Sequence, residues 1–234
     1  MTDVVGSVDM LQGANTSFTS DRFGNPNSAL ALNGGWAYVP TGFYFNSLQL
    51  SISLWVYPQS VNSLSRVVDF GSNTGIDNIV LTLDSGINDQ LRPKFFIFFG
   101  GTSFYTPSSS QALILNQWQF LVATFDGSMM KVYIDGITVA SATITSFSLA
   151  TVSRPNNYIG QSNWFASGDG YSSSYFDDLR FYSISLNQWQ INALMVSNDT
   201  NCYCTTTTST NSTTSKLKYL FFVNIKITHF RQNF

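Results

Sequence analysis

Residues 116–136 read NQWQFLVATFDGSMMKVYIDG, and this stretch decides the fold class. Gln117 to Phe125 is dense in aromatic and β-branched residues, which favour the pleated strand. Asp126-Gly127-Ser128 follows as a turn. Gly tolerates positive φ and Asp bonds back to its own backbone, so an Asp-Gly pair between apolar runs predicts a hairpin. Met129 to Ile134 is the second strand, closed by Asp135-Gly136. Ser128 and Met129 also have loop character, so the turn is expected to exceed two residues. Nothing in the hairpin has catalytic character; it is scaffold.

The pattern extends in both directions. Upstream, Ser51 to Tyr57 (SISLWVY) alternates strictly, so Ile52, Leu54 and Val56 face a core while Ser51, Ser53, Trp55 and Tyr57 face away. Ser28 to Leu32 and Trp36 to Val39 flank Asn33-Gly34-Gly35, a second hairpin signal. Arg66 to Phe70, Asn78 to Asp84 and Pro93 to Phe99 are further strands bounded by Gly, Asn or Asp. Downstream come Ile137 to Ala142, Asn157 to Gly160 and Tyr175 to Tyr182 (YFDDLRFY). Strict alternation through this last strand places Asp177 with Leu179 and Phe181, and Phe176 with Asp178, Arg180 and Tyr182. One helix is expected, Leu186 to Val196, with Ser185 as N-cap and Gln188 at capping-box spacing. Leu186, Trp189 and Ala193 would form its packed face. Trp55, Trp118, Phe120, Val122, Ile134, Leu179 and Phe181 are expected to be buried. Many short strands with regular turn signals and a single late helix predict an all-β, two-sheet antiparallel sandwich of jelly-roll type.

Composition narrows the function. Charged residues make up 10% of the 234 residues and aromatics 15%, against about 25% charged in an average chain. All thirteen acidic residues are Asp, and all precede position 201, together with seven of the eleven basic residues. An acidic body lacks the basic footprint that nucleic acid requires. Residues 1–200 contain neither Cys nor His, which excludes Cys-His and Ser-His-Asp nucleophilic chemistry and a Cys- or His-ligated zinc there. Met1 to Asn15 has no apolar signal-peptide core, and no run is long enough to span a membrane. Residues 1–200 are therefore expected to form one domain. Residues 201–215, with Cys202, Cys204 and TTTTSTNSTTS, form a linker expected to be disordered, and 216–234 an unstructured tail.

Five segments, in order, carry a resemblance. DRFGNPNSALALNGG at 21–35, SISLWVYP at 51–58, WQFLVATFDGSMMKVYIDG at 118–136, YIGQS at 158–162 and FDDLRFYSISLNQWQINAL at 176–194 resemble the laminin G-like, concanavalin A-like jelly-roll family, in its pentraxin-related branch. The resemblance implies two antiparallel sheets, one curved face and binding loops at one rim. It implies glycan, extracellular-protein or lipid ligands, often with calcium, in secreted or cell-surface proteins. The family begins with an apolar strand that this sequence lacks before Gly13-Ala14-Asn15, so YFDDLRFY is expected to lack a neighbour.

Candidate site residues follow. Trp164, Phe165, Asp169, Tyr171 and Tyr175 lie in and beside a Gly/Ser-rich loop, SNWFASGDGYSSSY, where aromatic rings can stack on sugars or anchor a protein, or simply plug the sandwich end. Asp177, sharing a strand face with apolar residues, needs a partner. Two are open: backbone N–H groups of a loop, or a calcium ion that takes carboxylate and carbonyl oxygens. Asn15, Asn198 and Asn211 head N-glycosylation sequons. Paired carboxylates for glycosidase chemistry are not apparent, since Asp177 and Asp178 should point to opposite faces and Asp126 and Asp135 are turn residues. The expectation is a non-catalytic extracellular module that binds glycans or proteins through rim loops, with calcium as a possible cofactor. A glycan hydrolase or lyase, or a structural spacer in a surface protein, are the alternatives.

Overall fold

A computed structural model of the chain describes residues 10–197, except 46, 61, 73–75, 87–89, 146, 148 and 150, together with the backbone of 2–3 and 224–226. Two antiparallel sheets pack face to face. The first contains, in spatial order, β1 (Thr2–Asp3), β16 (Asn224–Lys226), β15 (Ser172–Tyr182), β6 (Leu50–Pro58), β11 (Gln119–Phe125), β12 (Met129–Ile134) and β13 (Ile137–Thr143). Beside the first half of β15 stands β4 (Ala29–Gly35), itself paired with β3 (Thr16–Thr19). The second sheet runs β10 (Thr102–Tyr105), β9 (Phe95–Phe99), β8 (Ile79–Thr82), β7 (Arg66–Gly71), β14 (Asn156–Ile159), β5 (Ala37–Val39) and β2 (Leu11–Gln12). Each sheet has seven strands from the body, and β1 and β16 add two to the first.

The hairpin of β11 and β12 forms as its sequence dictates. Leu121 pairs with Ile134 and Phe125 with Met130. The Asp126 carboxylate accepts the N–H groups of Ser128 (2.9 Å) and Met129 (2.7 Å), and Gly127 takes φ 103°. Alternation along β6 sends Ile52, Leu54 and Val56 into the core against Leu121, Ala123, Phe70 and Phe181. Truncating one such residue, Leu54→Ala, removes buried surface and leaves a cavity, at about 2–5 kcal/mol.

Three expectations need correction. Asn33-Gly34-Gly35 is not a hairpin turn: β4 and β5 belong to different sheets, and the chain crosses between them at Trp36, whose N–H donates to Ala14. A side chain at Gly35 would strike the backbone of Ala14 and Asn15, so a crossing so tight reads like a turn in sequence. The helix α1 spans Gln188–Val196, not Leu186 to Val196. Leu186 and Ser185 are held extended because their N–H groups donate to Ser51 Oγ and Gln49 Oε1; the capping box is formed by Asn187 and Gln190. Ile191 and Leu194 then face Phe120, Val122 and Tyr133 on the outer side of the first sheet, while Trp189 is 64% exposed. Finally, the second half of β15 does have a neighbour. Asn224–Lys226 pairs with Leu179 and Arg180. The remainder of the linker and tail lies outside the described residues.

Phe120, Val122, Ile134, Leu179 and Phe181 are buried as expected. Trp55 and Trp118 are only half-buried, because both stand on the outer face of the first sheet.

Candidate functional site

An open groove of about 680 Å³ lies at one rim of the sandwich. Three loops wall it. Gly34 comes from the end of β4 where it approaches the crossing, Ser60 and Asn62 from the loop after β6, and Phe165, Asp169 and Tyr171 from the loop between β14 and β15. The third loop opens with a one-turn 3-10 helix, Phe165–Ser167, ended by Gly168 at φ 102°. Gly170 lets this loop touch the second: its N–H donates to Ser63 at 2.8 Å, and a side chain there would meet Asn62 Cβ at 2.7 Å. Both glycines around Asp169 are thus explained by backbone geometry. Phe165 and Tyr171 form one wall, ring centroids 4.5 Å apart, with Phe165 42% exposed. The Asn62 amide donates to the Tyr171 carbonyl (2.9 Å) and Ser173 Oγ (3.4 Å), tying two walls together.

A buried ion cluster holds the loop in place. Arg66 Nη2 donates to Asp169 Oδ2 at 2.7 Å, and Ser162 Oγ donates to the same oxygen at 2.6 Å. Arg66 Nε lies 3.7 Å from Asp69 Oδ2. Asp69 has no exposed surface and accepts the Asn163 N–H (2.9 Å), the Asn163 amide (2.7 Å) and the Asn78 amide (2.9 Å). Burial raises the Asp69 carboxyl above its ordinary value, against Arg66 and these donors; burial likewise lowers Arg66, against the two aspartates. A register shift between Arg66 and Val68 makes the geometry possible. Val67 and Val68 both enter the core, so Arg66 and Asp69, three apart, reach the same outer face.

The structure divides the five sequence-selected residues. Phe165, Asp169 and Tyr171 line the groove. Trp164 turns away and packs on Phe98 of β9, centroids 5.1 Å apart. Tyr175 stands on the outer face of the first sheet, stacked on Tyr57 at 5.3 Å, with its hydroxyl accepting from the Gln59 amide at 2.8 Å. Sequence reasoning missed Ser60, Asn62 and Arg66. The polar loop before Arg66 was a signal for the first two; nothing local marked Arg66.

Asp177 has a partner that neither expectation named. A register shift between Asp177 and Arg180, with Asp178 at φ 50°, breaks the alternation of β15. Phe176, Leu179 and Phe181 all enter the core, and both carboxylates turn outward to one guanidinium. Arg22 Nη1 pairs with Asp177 and Nη2 with Asp178 at 2.9 Å, while Arg180 Nη2 lies 3.4 Å from Asp178. Arg22 also stacks over Phe23 (4.3 Å) and Trp55 (5.1 Å). Its partner here is the Arg22 guanidinium rather than loop N–H groups. A cation placed at Asp177 would meet the charge of Arg22, so these residues do not fit a calcium site. Among the described residues no three of His, Cys, Asp and Glu gather to hold a metal. Asn15 is exposed in a turn; Asn198 and Asn211 lie outside the described residues.

Residues 32–192 match a laminin G-type family model described as the concanavalin A-like lectin/glucanases superfamily. The chain belongs to this superfamily. The superfamily's sandwich recurs in solved structures. Domain 4 of AbnA, a GH43 extracellular arabinanase from Geobacillus stearothermophilus, in complex with arabinotriose, is 20% identical, with a TM-score of 0.66 over 82% of this chain and 89% of that one. The binding domain of Paraclostridial Mosquitocidal Protein 1 is 14% identical, with a TM-score of 0.58 over 81% of this chain. The binding domain of botulinum neurotoxin serotype G is 16% identical, with a TM-score of 0.58 over 83%. The chain spans about half, 47%, of each toxin domain. At these identities the likeness is one of fold. No curated protein sequence matches the chain.

Proposed function

We propose that this concanavalin A-like chain is a non-catalytic recognition module that binds a neutral glycan in the rim groove. The observation that carries this reading is the groove wall itself. Two aromatic rings, Phe165 and Tyr171, stand opposite small polar groups, Ser60, Asn62 and Ser173. A sugar ring needs that combination: an apolar surface for its C–H face and hydrogen-bonding groups for its hydroxyls. The one charge in the groove, Asp169, is already engaged by Arg66 and Ser162. The arabinotriose bound to a neighbour of the same fold supports the ligand class.

The two carboxylates beside the groove, Asp69 and Asp169, flank Arg66. Asp69 touches no solvent, so it has no route to a substrate proton, which favours binding over hydrolysis. An extracellular setting accords with the exposed Asn15 sequon and the Thr-rich linker. Partner glycans on cell or matrix surfaces follow from that address. The reading does not require calcium.

A glycan array probed with the whole chain, in calcium and in chelator, tests this. Binding to a restricted set of neutral glycans is expected in both conditions, with each bound glycan recovered intact after prolonged incubation. Shortened or unsaturated products would make the chain an enzyme, and binding only in calcium would restore a metal role.

A further inference from the structure

We propose that the glycan site continues out of the groove onto the outer face of the first sheet, and that the ligand is an extended oligosaccharide rather than a single terminal sugar. The inference rests on the glycan reading of the groove. Trp118, Tyr57 and Tyr175 form a half-buried row across neighbouring strands, with ring centroids 5.6 Å and 5.3 Å apart. Cross-strand register fixes the row: Tyr175 lies opposite Tyr57 in β6, and Trp118 adjoins Gln119, which lies opposite Val56. The helix α1 covers Phe120, Val122 and Tyr133 further along the same face but leaves this row open.

The row joins the groove without a break. Ser173 lines the groove and stands two residues before Tyr175, on the same face of β15. Gln59 bridges them: its N–H donates to the Ser173 carbonyl at 2.9 Å and its amide to the Tyr175 hydroxyl at 2.8 Å. Asn62 makes the corresponding link from Ser173 to Tyr171. Exposed Asn33, Asn116 and Gln117 margin the strip with amides. Asp177, two residues beyond Tyr175 in β15, is spent on Arg22. An uncharged aromatic ribbon edged by amides is the chemistry of a neutral polyol chain; a charged peptide or an anionic lipid would find no counter-charge there.

Isothermal titration of the whole chain with arabino-, xylo- and cello-oligosaccharides of one to six rings provides the test. For whichever series binds, affinity should rise about tenfold or more between the shortest binding member and four rings. Trp118→Ala and Tyr57→Ala should flatten that rise while leaving the shortest member's affinity unchanged. Tryptophan fluorescence gives an independent readout: longer members should perturb it, and Trp118→Phe, which keeps a ring and the packing, should remove that response. An unchanged length dependence in both alanine variants overturns the extended site while leaving the groove reading intact. Absence of binding by any series that an array also rejects overturns the groove reading and, with it, this one. Dimerisation of the chain through this face, abolished by Trp118→Ala, would assign the row to a second copy and overturn the proposal.

Discussion

At the scale of single residues, charge is handled by pairing inside the sheet faces. Burial raises the Asp177 carboxyl from 3.8 to about 6, reinforced by Asp178 and opposed by Arg22. The folded chain therefore holds this proton more tightly than the unfolded chain. Its contribution to stability is fully present below about pH 4 and is lost as pH rises through 6, by at most about 3 kcal/mol. Wild type should lose melting temperature between pH 4 and 7 relative to Asp177→Asn, which has no proton to release. Parallel curves for the two proteins would contradict this. The difference between them should also be the same in calcium and in chelator, because Arg22 occupies the place of a cation. Arg66 offers a second test. Arg66→Ala leaves Asp69 buried without its counter-ion, at a cost of about 3–5 kcal/mol. Adding Asp69→Asn should recover part of that loss in denaturant unfolding; purely additive losses would show that the two residues do not act as a pair.

At the scale of elements, the sequence was legible where a strand alternates without interruption. Ser51 to Tyr57 and the β11–β12 hairpin read correctly because one residue in two must face the core. It was illegible where a strand carries an extra residue. Arg66 to Asp69 and Asp177 to Arg180 both contain register shifts, and each brings together charges that alternation would separate. Nothing in either tetrapeptide distinguishes a bulge from a regular strand, so the carboxylates of Asp177 and Asp178 could not be placed on one face. The helix is a milder case. Its composition predicted a helix, but Ser51 Oγ and Gln49, distant in sequence, hold Ser185 and Leu186 extended. Asn187→Ala should therefore cost about 1 kcal/mol as the loss of an N-cap. Ile191→Ala should cost about 2–5 kcal/mol, and Trp189→Ala should stay within about 0.5 kcal/mol. Thermal unfolding of the three variants orders them; a large loss at Trp189 would mean that the helix packs on the face its sequence pattern suggested.

At the scale of the whole molecule, the sandwich places three loops, far apart in sequence, at one rim. The aromatic loop of 164–171 was visible as composition, but its partners Gly34, Ser60 and Asn62 become neighbours only through the sheet order. The same long-range closure joins β16 to β15. Removing residues 216–234 should accelerate hydrogen exchange at the Leu179 and Arg180 backbone, where the pairing is lost. Unaltered exchange there would mean that another segment protects this edge. The central claim, that the rim groove binds a neutral glycan through its aromatic wall, is tested most directly by isothermal titration of the strongest array-selected glycan into wild type, Phe165→Ala and Tyr171→Ala. The account predicts that each variant melts within a few degrees of wild type and binds at least about tenfold more weakly, a loss of about 1.4 kcal/mol or more. Unchanged affinity in both folded variants would contradict it.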